Sequence, residues 1–182
     1  MPRPIGTDPL LLAGNVLAIF LQIAMAIGAT ALVIASVAIL LFQDKLITEY
    51  AQEIGDPTAV FPVLTLLGVM LIGLAIVTAM FLFFGKLRSI ITTVGSGDPF
   101  QPENADRLSA MAWLMFGVQL LILPATALGM QLVRFADELK DVDVTFDGGL
   151  DLEGILLVVV LFILARVFRH GAAMRADLEG TV

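Results

Sequence analysis

The sequence predicts an all-α membrane protein: a four-transmembrane-helix bundle with a small extracytoplasmic β-hairpin. Three observations predict it. Hydrophobic residues make up 59% of the 182 and charged residues 15%, against roughly 45–50% and 25% in soluble domains, and the mean hydropathy is +0.98. The charges are confined to short segments between long uncharged runs. One of those segments, 141–152, alternates apolar and polar residues instead of keeping a helical period. At this length the chain is one domain.

Each element follows from the distribution of charge, because a spanning helix needs about 20 apolar residues. After a polar start with Arg3 and Asp8, no charge occurs until Asp44, and the first span is placed at about 15–42. Ala24, Gly28, Ala31 and Ala35 recur on one face of it, where small residues let a neighbouring helix approach. Residues 43–59 form an outer loop. Its first part is helical, with Ile47, Tyr50, Ala51 and Ile54 on one face, and Gly55-Asp56-Pro57 stops it. The second span, about 60–84, is followed by Lys86 and Arg88. Its helix continues to about Val94, where Gly95 and Gly97 end it. The 85–107 loop leads to a third span at about 104–131 that contains Pro124, a kinking residue. The outer loop 132–151 holds the alternation Val142, Val144, Phe146 and the turn signal Asp147-Gly148-Gly149. The fourth span, 152–168, is the shortest. Only Gly154 to Ala165 is free of charge, and Arg166 must snorkel to the interface.

Basic residues accumulate on the cytoplasmic side of a membrane. Arg3, Lys86, Arg88, Arg107, Arg166, Arg169 and Arg175 fall on one side of this arrangement. Only Lys45, Arg134 and Lys140 fall on the other. Both termini are therefore expected in the cytoplasm. The acids run the opposite way, so the outer face is negative.

The densest polar punctuation between two apolar runs is Gly97-Asp98-Pro99-Phe100-Gln101-Pro102-Glu103-Asn104-Ala105-Asp106-Arg107-Leu108. Gly97 and the prolines force a turn, Pro102 suits the first turn of a helix, and Gln101 is the expected cap. This stretch resembles a bacterial membrane-protein family of unknown function, DUF2975, whose members carry a GDPF-x-PEN-x-x-RL segment before the third span. The basic tail from Val167 to Arg175, followed by acids and a closing Thr-Val, is similar to the family's ending. Asp106 departs from the pattern, standing where a second basic residue is common. The resemblance implies a bacterial inner-membrane location and no particular chemistry. It also implies a cytosolic partner, because such proteins are often encoded beside a small helix-turn-helix transcription regulator.

Catalytic constellations are missing. The chain has no cysteine and one histidine, too few for a metal centre, and no phosphate-binding loop or hydrolase motif occurs. The middles of the first three spans carry no ionisable residue, which argues against a transport path. Gln22 and Gln119 are expected to hydrogen-bond across helices. No enzyme activity, cofactor or direct nucleic-acid contact is expected. The expected role is regulatory, with Asp98, Phe100, Glu103, Asn104, Arg107, Arg169 and Arg175 forming an inner surface for a cytosolic partner. The alternative is an accessory subunit of a larger membrane complex; a small transporter ranks third.

Overall fold

The computed structural model describes residues 8–55, 61–136 and 151–179. They form four helices: α1 (Pro9–Ile54), α2 (Val63–Gly95), α3 (Pro102–Ala136) and α4 (Leu152–Glu179). Among the described residues there is no strand. The expected hairpin at 141–152 lies outside them except for its end, and that end is corrected: Leu152 opens α4. The cause is Asp151, whose carboxylate accepts hydrogen bonds from the Glu153 and Gly154 N–H groups at 3.0 and 3.1 Å. An aspartate satisfying the free N–H groups of a first turn starts a helix.

The other ends are equally local. Asp8 caps α1 through the Leu10 N–H (3.0 Å), and Gly55, at φ 73°, closes it with its N–H on the Ala51 carbonyl. α2 ends in a Schellman motif. Gly97 takes φ 85°, its N–H bonds to Val94 O, and the Asp98 N–H bonds to Thr93 O. Only a residue without Cβ adopts this conformation at little cost. Pro102 is the first residue of α3. Gln101 does not cap that helix through its side chain, which bonds instead to Asp98 Oδ2 at 3.0 Å.

α1, α2 and α3 contain segments long and apolar enough to cross a membrane: Pro9–Gln52, Val63–Gly95 and Pro102–Phe135. Within α1, Phe42 leaves helical backbone angles (φ −111°, ψ 15°), at the residue where the first span is expected to end. α3 runs through Pro124 as one helix. α4 is different. Its uncharged stretch of 12 residues measures about 18 Å, against a hydrocarbon core of about 30 Å.

The described residues sort into two compact units. One is drawn from Met1–Ala26, Thr78–Gln119 and Asp151–Val182, the other from Ile27–Val77 and Leu120–Leu150. In the first, α3 buries Asn104, Ala105, Leu108, Met111, Ala112, Val118 and Gln119, and α4 buries Gly154, Val158, Leu161 and Ala165. Both stripes step by three and four, the spacing of a helix–helix seam. Leu108, Met111 and Ala112 of the first stripe and Leu161 and Ala165 of the second make the core with Phe83 and Ile90 of α2. The second unit centres on three rings. Tyr50 stacks on Phe135 with centroids 4.6 Å apart, and Phe61 meets both edge-on. Of the small residues expected on one face of the first span, Gly28 faces Val77 at van der Waals distance, whereas Ala31 and Ala35 are exposed.

The expected cross-helix bonds of Gln22 and Gln119 are not made among the described residues. Gln119 packs over Gly154, whose N–H is already taken by Asp151, and Gln119 Oε1 is buried without a donor. Hydroxyl groups in the helices instead bond to their own backbone, as Ser36 does to Leu32 O and Thr126 to Ile122 O.

Candidate functional site

The Gly97–Leu108 turn and the second half of α4 belong to the same unit, and the structure brings them together. Arg175 pairs with Asp98. Arg169 Nη2 lies 3.2 Å from Asp106 Oδ1. The Phe100 ring sits 5.5 Å, centroid to centroid, from Phe168. It also covers Gly171, where an added Cβ would stand 2.6 Å from Phe100 Cδ1. Gly171 is thus the gap in α4 that receives the ring held between Pro99 and Pro102. Phe100 nonetheless keeps 42% of its surface exposed.

Beneath this contact Asn104 organises the turn. Its Nδ2 donates to Thr93 Oγ1 (2.8 Å) and Pro99 O (2.9 Å). Its Oδ1 accepts from Arg107 Nη1 (2.8 Å). The amide orientation is fixed by its partners, because a guanidinium only donates and a carbonyl only accepts. Asn104 is 0% exposed, so its expected place on a partner-facing surface is corrected. It faces inward because it begins the buried stripe of α3, four residues before Leu108 and seven before Met111. Glu103 stands exposed in the first turn of α3, where the positive helix end favours a carboxylate. Arg107 turns to a different part of the unit, described below.

Three participants are absent from the sequence-based set. Asp106, read there as a departure from a pattern, supplies the partner of Arg169. Phe168 and Gly171 receive Phe100. The signal for Gly171 was a glycine in the interior of a helical segment, which often marks a close approach.

Next to the contact lies a groove of about 540 Å³ lined by Phe100, Ile163, Arg166, Val167, His170, Gly171 and Met174. Its floor is apolar. Arg166 and His170 put cationic or protonatable groups on its border, and Arg166 has no carboxylate partner among the described residues. No group of three or more metal-ligating side chains occurs among the described residues. The arrangement can receive an apolar side chain flanked by a negative group.

No curated protein and no solved structure matches the chain. The sequence model of the family described as "protein of unknown function (DUF2975)" matches residues 43–182, including the turn and the tail just described, and the chain belongs to that family.

Proposed function

We propose that the protein is a non-enzymatic, multi-pass protein of the bacterial inner membrane that receives a cytosolic protein on its inner surface. In this reading it crosses the membrane four times, with both termini in the cytoplasm. The bilayer is the partner of the apolar helix faces: Phe20, Ile27, Leu71 and Trp113 are more than half exposed, which water would penalise and lipid would not. α4 crosses with Leu152 at one end and the stem of Arg166 extending the apolar zone at the other.

The observation that carries the functional reading is the groove beside the turn–tail contact. The turn and α4 are joined by two ion pairs and a ring contact, so the groove is a preformed surface and a partner need not order it on binding. Its apolar floor and cationic border suit an amphipathic helix with an apolar anchor beside an acidic residue. The partner class implied by the family resemblance, a small helix-turn-helix transcription regulator, would be held at or released from the membrane through this surface.

Met174→Asp tests it. Met174 lines the groove and is more than half exposed, so the change leaves the turn–tail contacts in place. Co-purification from native membranes is expected to recover a cytosolic DNA-binding protein with the wild type and to lose it with the variant, at unchanged thermal stability. Recovery at wild-type level with the variant refutes the groove as the docking surface. Recovery of an integral complex instead makes the protein an accessory subunit.

A further inference from the structure

A second cleft lies in the same unit. It measures about 410 Å³, and its lining includes Gln22 of α1, Gly85, Arg88 and Ser89 of α2, and Arg107 of α3. We propose that it binds a phosphate group, with Arg88 and Arg107 as its ligands and Gln22 as a third donor.

The cleft holds two guanidinium groups and no carboxylate. Neither arginine forms an ion pair among the described residues. The acids of the turn are engaged elsewhere, Asp98 with Arg175 and Asp106 with Arg169. Glu103, one helical turn before Arg107, makes no ion pair with it. Two like charges facing one cavity repel each other, and an anion between them removes that repulsion. Cations are excluded by the same charges.

The donors are positioned in advance. Arg107 is held by Asn104 Oδ1 at 2.8 Å, and Asn104 is fully buried and tied to both Thr93 and Pro99. This uses one of the five guanidinium N–H groups and leaves the remainder for a ligand. Gly85 makes room for Gln22: a Cβ there would stand 3.0 Å from Gln22 Nε2. The hydroxyls of Ser89 and Thr92 donate to the carbonyls of Gly85 and Arg88 at 3.0 Å, so they are not free to donate to an anion. The donor set is two planar forks and one amide, and guanidinium forks match phosphate oxygens in geometry.

Both arginines mark an end of an uncharged segment. Arg88 follows the uncharged stretch of α2 that ends at Gly85, and Arg107 immediately precedes the uncharged stretch of α3. Exposed apolar side chains of α1, Val16, Leu17 and Phe20 among them, run along the same unit. A phospholipid headgroup and a soluble phosphate share the chemistry the cleft recognises. The lipid source rests on the membrane reading above; the anion site itself does not.

The test uses the full chain purified in detergent and stripped of lipid. Thermal shift and native mass spectrometry are read with inorganic phosphate, with phosphatidylglycerol or phosphatidic acid, and with phosphatidylcholine as the zwitterionic reference. Saturable binding of the anionic lipids or of inorganic phosphate is expected, weakened about tenfold or more by Arg88→Gln and abolished in the Arg88→Gln/Arg107→Gln pair. Arg134→Gln, on the other unit, should bind as the wild type does. Preference for the anionic lipid identifies a headgroup site. Binding of inorganic phosphate with no lipid preference identifies a soluble ligand and leaves the membrane reading to be judged by topology. Arg88 is exposed, so Arg88→Gln folds and decides the matter even where the double variant does not. Equal affinity of Arg88→Gln and wild type for every probe, or no binding of inorganic phosphate together with no preference for the anionic lipids over phosphatidylcholine, overturns the proposal.

Discussion

Replacing Asn104 by alanine removes the centre of the turn, and the cost can be worked from its bonds. Three hydrogen bonds are lost: to Thr93 Oγ1, from Nδ2 to Pro99 O, and from Arg107 Nη1. Thr93 keeps its own bond to Ile90 O, and Arg107 borders an open cleft, so neither is stranded. The Pro99 carbonyl loses its side-chain donor in a half-buried setting. A neutral bond contributes about 0.5–1.5 kcal/mol net, and one to a charged group about 1.5–3 kcal/mol. The Arg107 bond counts at the low end because water replaces it. The sum is about 2.5–4.5 kcal/mol. For a chain of this size each kcal/mol moves Tm by about 2–4 °C, so a fall of about 5–18 °C is expected in detergent. The single tryptophan, Trp113, lies in the same unit beside Phe116 and Phe162, and its fluorescence reports the transition. Asn104→Asp is the sharper control. It keeps the oxygen facing Arg107 but loses both N–H donors and sets an oxygen against the Pro99 carbonyl. It should be no more stable than the alanine variant despite its near-identical shape. A fall of less than about 2 °C for alanine, or wild-type stability for aspartate, would refute this account of the turn.

Gly171→Val should drive the Phe100 ring off α4 and lower Tm by an amount typical of overpacking, about 1–3 kcal/mol; the double variant with Phe100→Ala should recover part of the loss. Asp151→Ala removes the cap of α4 and should cost about 1 kcal/mol, read as a lower Tm that Asp151→Asn largely restores.

The turn was legible because its chemistry is local. Gly97 and Pro102 act through their own backbone angles, and both take the positions their residue types dictate. That the turn and the tail form one surface is legible from the chain's order, since each directly follows an apolar segment and both segments are expected to end on the same side. Asn104 was misread because a polar residue in a polar segment reads as solvent-facing. The correct signal was its distance from Leu108 and Met111 on α3, a seam spacing that only becomes compelling once the facing stripe on α4 is known. Asp106 could not be understood from its own segment, because its partner Arg169 is 63 residues away. Residue 152 carries two readings in the sequence, the end of the alternation from Val142 and the first residue of the fourth span; Asp151 before an apolar run, a helix-start signal, decides for the helix, which opens at Leu152.

The joined surface requires the turn before α3 and the distal half of α4 to lie on one side of the membrane, so if α3 crosses it α4 must cross back. The chain has no cysteine, so single cysteines at Ser96 and Ala173, both exposed, can be labelled without interference by a membrane-impermeant maleimide. Both are predicted to stay unlabelled in intact cells whose outer envelope admits the reagent, and to label once the inner membrane is opened. Labelling of Ala173→Cys but not Ser96→Cys in intact cells would place tail and turn on opposite sides and contradict the account.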